Sequence, residues 1–392
     1  MKCSATSLQK QSLESERRVN KLMETSTTLG EGQLRMLAES AERFLEARYP
    51  LAHRREVIKT GLPDAALWRA LGDMGWLTLH APAQDGGLGQ PLAAAAPLLL
   101  ALGRHLVVEP FVDAGLVSMR LLSQARFERR DDVVQSVLTG EAWVAPAHLE
   151  RGMRTAAAMP QTQWQDTPGG ARLQGRKHAV ATGAAAHGWI VTASTGRPES
   201  LRAWWVPVDT PGVSVRAYAA VDGTPLADLT LDGVEVSVAQ ELRLGDLAGV
   251  LEDAYRQRLA AHCQMAVGAM EGMLDASIAY VKLRRQFGVA ISEFQAVQHR
   301  LVDMYAQLQL AKAVASTALV LATDGTATAR LSACKARVAQ SCRFIREQGV
   351  QLHGGIGMTE ECIASHYFRR LLALEKSDGD ALEHLGQVQL AG

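Results

Sequence analysis

Residues 280–304 read YVKLRRQFGVAISEFQAVQHRLVDM. Val297, Leu301, Met304 and, just beyond, Leu308 are spaced 4, 3, 4, which places them along one side of an α-helix. Such a stripe is core by default, and its Met needs no functional explanation. The polar and aromatic residues ahead of it do not follow from packing: an RxxFG run at 284–288, then Phe294-Gln295. Further on, QLHGGIGMTEE at 351–361 carries a QxxGG. That glycine pair lacks the Lys-Ser/Thr ending of a phosphate loop and follows a helical pattern instead of a strand. Neither the P-loop nor the dinucleotide fingerprint applies.

Helical periodicity covers the chain from about 246 almost to the end, broken only near TDGTATA at 323–329. From about 140 to 245, Gly, Pro and Thr punctuate short runs such as HAVATG, GWIVTAST, AWWVPV and VSVRAYAA, the pattern of strands joined by turns. Ahead of these, EGQLRMLAESAERFLEARY sets Leu34, Leu37, Ala41, Phe44 and Leu45 on one helical face, and helix-like segments continue to about 138. The expected organisation is a polar tail (1–28), a helical domain (29–139), a β-barrel-like middle domain (140–245) and a C-terminal four-helix bundle (246–392). The fold class is mainly α with a central β domain.

The 392 residues are enough for two or three domains, and 47% hydrophobic with 21% charged residues mark a globular chain. Lys+Arg and Asp+Glu are equal at 41 each, so no net field would gather nucleic acid or an anionic membrane. The five cysteines (3, 263, 334, 342, 362) contain no CxxC pair, which fits reduced thiols better than a disulfide framework or a metal site. PLAAAAPLLLALG at 91–103 is too short to span a bilayer, and the polar start lacks the apolar core of a signal peptide. A cytoplasmic protein without membrane insertion is expected.

Helices, β domain, helical bundle is an uncommon order. LGDMGWLTLHAPAQDGGLGQPL at 71–92, GRKHAVATGAAAHGWIV at 175–191, and the 280–304 and 351–361 segments all resemble acyl-CoA dehydrogenases, over about residue 30 to the end. The resemblance implies FAD as cofactor. In it Arg284 reaches the FAD pyrophosphate, for which a permanently charged planar fork of donors is suited. Phe287, Phe294 and Gln295 complete that half of the site, and Gln351, with the backbone at Gly354 and Gly355, meets the FAD of a neighbouring subunit. The assembly implied is a homo- or hetero-oligomer, a dimer of dimers.

The other half of the flavin site departs from the family. Where members usually carry Thr-Glu-Pro, this chain reads AHLERGMR at 147–154; Glu150 matches and is a cofactor-binding candidate, but Leu149 replaces the Thr and can donate no hydrogen bond. Ala179, Val180 and Ala181 stand in place of Trp-Ile-Thr, and Thr182, one place along, reads first as a strand threonine.

Many relatives place the catalytic base as a Glu before a Gly after QxxGG, which here is Asp378-Gly379 within EKSDGDALE, 375–383. The aspartate is one carbon shorter, about 1.5 Å less reach, and a misplacement of about 1 Å can cost on the order of a hundredfold in rate. The other acids of that run, Glu375, Asp380 and Glu383, are expected to be solvated. Relatives of the isovaleryl type carry the base about 26 residues before the RxxFG arginine. This chain has Arg258 there, read as a structural or site-lining cation.

The implied reaction is α,β-dehydrogenation of an acyl-CoA to a trans-2-enoyl-CoA, with Asp378 as the base and electrons passed to an electron-transfer flavoprotein. The alternative is a non-catalytic, cofactor-sharing subunit of a heteromeric acyl-CoA dehydrogenase, since one half of the flavin site is retained and the other eroded. Bacterial members of the family it resembles that act on CoA thioesters of steroid side chains or dicarboxylic acids include paired subunits of this kind.

Overall fold

A computed structural model of the protein describes residues 28–153, 157–181 and 183–391. Almost all of the tail expected at 1–28, together with Cys3 and Thr182, lies outside those residues. The N-terminal helices are α1 (Glu31–Arg48), α2 (Leu51–Thr60), α3 (Ala65–Asp73), α4 (Ala96–Arg104), a π-helical stretch at Phe111–Ser118, α5 (Met119–Gln124) and α6 (Arg130–Leu138). In α1 the predicted stripe holds: Ala41 and Leu45 are buried, and Leu37 and Phe44 pack against the same core.

The middle region forms two sheets. A three-stranded sheet has the order β1 (Val144–Ala147), β4 (Gly188–Ala193), β5 (Arg202–Pro207), with β1 parallel to β4. An antiparallel sheet has the order β2 (Gln163–Thr167), β3 (Gly170–Ala181), β7 (Pro225–Ser237), β6 (Val213–Ala219). Trp189, Trp204, Leu173, Leu229 and Leu231 fill the core between them. In β7, Ala227, Leu229 and Leu231 are buried in alternation, the period-2 pattern of a strand with one covered face, and the alternation resumes at Val234 and Val236 after a register shift.

The bundle is built on α7 (Leu247–Leu283), a helix of 37 residues, with α8 (Gln295–Leu321), α9 (Thr328–His353), α10 (Ile363–Lys376) and α11 (Ala381–Ala391). The break expected near 325 is a short 3-10 turn at Gly325–Ala327. Helices α4 and α7 cross at two glycines: a Cβ on Gly103 would lie 1.9 Å from the Met265 carbonyl oxygen, and one on Gly268 would lie 2.0 Å from that of Leu100. Only glycine permits this backbone approach, which fixes the N-terminal helices onto α7 and gives the two regions one continuous core.

The RxxFG run is a hairpin. Strands β8 (Arg285–Gln286) and β9 (Val289–Ala290) pair across Phe287 and Gly288, which have φ of +53° and +87°. Two successive positive φ values are the requirement of a two-residue type I′ turn. Glycine meets it without strain and phenylalanine does not.

Candidate active site

A cavity of about 820 Å³ lies between the β domain and the bundle. Leu149, Ala179, Ala181 and Leu226 line it from the β side, and Tyr255, Leu259 and Leu331 from the helices. Its polar wall is a cluster of Asp113, Arg258, His262 and Asp378.

The turn after α10 builds that cluster. Asp378 has φ +60° and Gly379 φ +96°, and the Asp378 carbonyl oxygen accepts from His384 Nε2 at 2.7 Å. Aspartate is among the few residues that tolerate this left-handed backbone. Its side chain, 6% exposed, reaches across to α7, where Oδ1 accepts from Arg258 at 2.5 Å and Oδ2 accepts from His262 Nδ1 at 2.7 Å. Arg258 Nε also lies 2.9 Å from Asp113 Oδ1. Burial alone would raise the Asp378 pKa, but Arg258 and then His262 outweigh it and hold the carboxyl well below the usual range. Both of its oxygens are therefore engaged, and the charged form is strongly favoured. The carboxyl expected to act as the base is thus bonded to Arg258 through one oxygen and to His262 through the other. The two positions at which relatives place a base, 378 and 258, meet here as an ion pair.

The acidic run around it is not uniformly solvated. Glu375 is buried and its Oε2 receives Arg346 Nε and NH2, both at 3.1 Å, a correction to the sequence expectation. Asp380 does face outward and accepts from the Leu382 and Glu383 amides at 3.0 and 3.1 Å, capping α11.

Glu150, a cofactor candidate in the sequence, is engaged within the chain. Its carboxylate turns into the β domain, taking Thr162 Oγ1 at 2.6 Å, the Gln161 and Thr162 amides at 2.7 and 3.0 Å, and Lys177 Nζ at 2.7 Å. Burial would raise its pKa, yet the Lys177 ammonium draws it below the ordinary value, while burial pushes Lys177 down to about 8. Glu150 is thus ion-paired with Lys177 within the β domain.

The remaining candidates lie together at the far end of the bundle, away from this cavity. Tyr280 of α7 stacks on His353 of α9 with ring centroids 4.5 Å apart, so Arg284 and Gln351 emerge from neighbouring helix ends. Phe287, 93% exposed, meets Phe294 edge to face at 6.2 Å. Arg284, Gln295 and Gln351 are exposed, and among the described residues Arg284 has no carboxylate partner. A Cβ on Gly354 or Gly355 would meet nothing within 4 Å in this chain. A guanidinium, two amides, an apolar edge and open glycine backbone thus share one exposed end of the bundle.

Residues 31–141 match the acyl-CoA dehydrogenase N-terminal domain, and residues 251–388 match the acyl-CoA dehydrogenase C-terminal domain. Acyl-CoA dehydrogenase IpdE2 of Mycobacterium tuberculosis is 30% identical over 312 residues, covering 78% of this chain and 80% of that one. The chain belongs to the acyl-CoA dehydrogenase family. It is an oxidoreductase of the class acting on CH–CH groups, with the helix, sheet, helix architecture of the family. The solved ChsE4–ChsE5 complex from Mycobacterium tuberculosis is similar at TM-score 0.81 and 25% identity, covering 93% of this chain and 97% of that one. A variant of the Tcur3481–Tcur3483 steroid ACAD is similar at TM-score 0.81 and 26% identity, over 91% and 97%.

Acyl-CoA dehydrogenases are FAD-dependent flavoproteins. The exposed edge fits that cofactor, since a free guanidinium suits a pyrophosphate and unobstructed glycine backbone admits a flat ring. The cavity side fits it less completely, because Leu149, Ala179 and Ala181 bring no side-chain donor to a flavin. Among the described residues no helix is long and apolar enough to cross a membrane, and no group of His, Cys, Asp and Glu is arranged to hold a metal ion.

His262 was missed in the sequence. It stands one helical turn after Arg258, on the same face of α7, and that i, i+4 spacing was the signal that could have found it.

Proposed function

We propose that this chain works in an oligomer as an FAD-dependent acyl-CoA dehydrogenase, converting an acyl-CoA to a trans-2-enoyl-CoA and passing electrons to an electron-transfer flavoprotein. The observation that carries this reading is the exposed edge of Arg284, Phe287, Phe294, Gln295 and Gln351 beside Gly354 and Gly355. Such an edge has no use in an isolated chain and suits a cofactor held mainly by a neighbour. When bound, FAD supplies the hydride acceptor. Arg284 would pair with its pyrophosphate, and the Gly354–Gly355 backbone would lie along it. The cavity would take the acyl chain, its apolar walls excluding water while the polar cluster faces the reacting carbon.

A second reading has its own support: the cofactor-sharing subunit of a heteromer. Donor-free Leu149 and Ala181 face the cavity, Asp378 is bound to Arg258, and the ChsE4–ChsE5 and Tcur3481–Tcur3483 structures are named as pairs. Purifying the chain alone and co-expressed with a second acyl-CoA dehydrogenase chain, then recording flavin absorbance and its bleaching by acyl-CoA, separates the two. Flavin bound and bleached by the chain alone supports the first reading; flavin only in the mixed assembly supports the second. Absence of flavin from both preparations would refute each.

A further inference from the structure

His262 occupies the point where the two base positions of the family converge. It is buried among the bundle helices yet lines the cavity, and its Nδ1 lies 2.7 Å from Asp378 Oδ2. An ionised carboxylate can only accept hydrogen bonds, so the hydrogen of this contact belongs to Nδ1. The neutral ring then carries its lone pair on Nε2. Among the described residues Nε2 has no hydrogen-bond partner.

We propose that His262 Nε2, and not a carboxylate, takes the α proton of the acyl-CoA, and that Asp378 is the positioning residue that fixes the ring and its tautomer. The inference rests on the reading of this cavity as an acyl-CoA site. The C2–H bond breaks, the proton forms an N–H bond at Nε2, and the electron pair stays on the thioester as an enolate. Bound FAD would supply the acceptor for the hydride from C3. Arg258 keeps Asp378 ionised and turned toward α7, so the cation at one family base position sustains the acceptor one turn further on.

The test isolates proton transfer from oxidation. The assembled protein, with any partner chain it needs, is mixed in D2O with a 3-thia-acyl-CoA, whose α proton is acidic and whose position 3 has no hydrogen to give as hydride. Exchange at C2 is followed by proton NMR and binding by calorimetry. The wild type should bind and exchange. His262→Gln should bind within about threefold of wild type and exchange at least about a hundredfold more slowly, the scale of a lost general base. Asp378→Asn should also slow exchange without loss of binding, because an amide no longer dictates the tautomer. Added imidazole should restore exchange in His262→Ala, a rescue that a merely structural histidine would not give. Exchange at the wild-type rate in His262→Gln, or no imidazole rescue at matched helical content, overturns the proposal. A wild type that binds the thioester but does not exchange it overturns the dyad alone; one that does not bind it overturns the cavity's assignment and the dyad with it.

Discussion

The Arg370 guanidinium reaches the Asp222 carboxylate at 2.7 Å, with the two side chains only 9% and 1% exposed. Asp222 precedes β7 and Arg370 belongs to α10, so the pair ties the sheets to the bundle. Arg54 of α2 donates to the Asp222 carbonyl oxygen at 2.7 Å, and Arg370 donates to that of Val107, which brings the N-terminal helices to the same point. Removing one partner of a buried ion pair typically costs about 3–5 kcal/mol, because the other charge is left unpaired. Asp222→Ala should lose that much in denaturant unfolding, and Asp222→Leu with Arg370→Met should recover part of it.

Acid should unfold the protein partly through the same residue. Burial would raise the Asp222 pKa, but Arg370 outweighs it and the folded value lies below the ordinary 3.8; the same sign holds for Asp378 through Arg258 and His262. A carboxyl depressed in the folded state stabilises fully above its unfolded pKa and loses that stability as pH falls through the folded value. Stability should therefore fall below about pH 4. Asp222→Asn and Asp378→Asn should each flatten that slope in urea titrations carried down the pH scale.

Arg284→Ala should lose FAD. FAD affinity, read from flavin absorbance per chain across an FAD titration of the assembly at matched helical content, should fall by tenfold or more if the guanidinium is worth about 1.5–3 kcal/mol, the range for hydrogen bonds to charged groups. Arg285→Ala, on the adjoining exposed strand, should keep the flavin. Full flavin occupancy in the Arg284 variant would remove this edge from the cofactor site.

The acids around Asp378 should separate by burial. Glu375→Gln leaves Arg346 without its buried partner and should cost roughly 3 kcal/mol. Asp380→Asn preserves the capping oxygen and should change stability by only a few tenths of a kcal/mol. Chemical denaturation of the two variants side by side checks both.

Periodicity made the helices and the order of the three regions legible, because apolar spacing is a local property: Ala41 and Leu45, or Met304 and Leu308, are buried as their spacing required. The cavity cluster was half legible. Positions 258 and 378 were both singled out, but as alternatives for one role, since nothing local says that residues 120 apart share a hydrogen bond. The Glu150–Lys177 pair was not legible for the same reason: Lys177 lies on β3, far along the chain, and a match at one position cannot show which way a side chain turns. Glu375 lay in a run whose average is polar, while burial is decided residue by residue where α10 packs on α9.

Helix α7 carries the His262 cluster near its middle and delivers Arg284 at its end. Arg258 and Arg284 are 26 residues apart, about 39 Å at 1.5 Å per residue. If Arg284 serves a neighbour's FAD, as proposed, two crippled copies can repair each other. If the assembly is homomeric, mixing His262→Gln chains with Arg284→Ala chains creates pairs in which one catalytic centre has every group intact and the other has lost two. Activity should reappear on mixing, though neither parent shows it. In a heteromer, where lender and user are different polypeptides, the same mixture should stay silent, so trans-complementation reads the symmetry of the assembly directly.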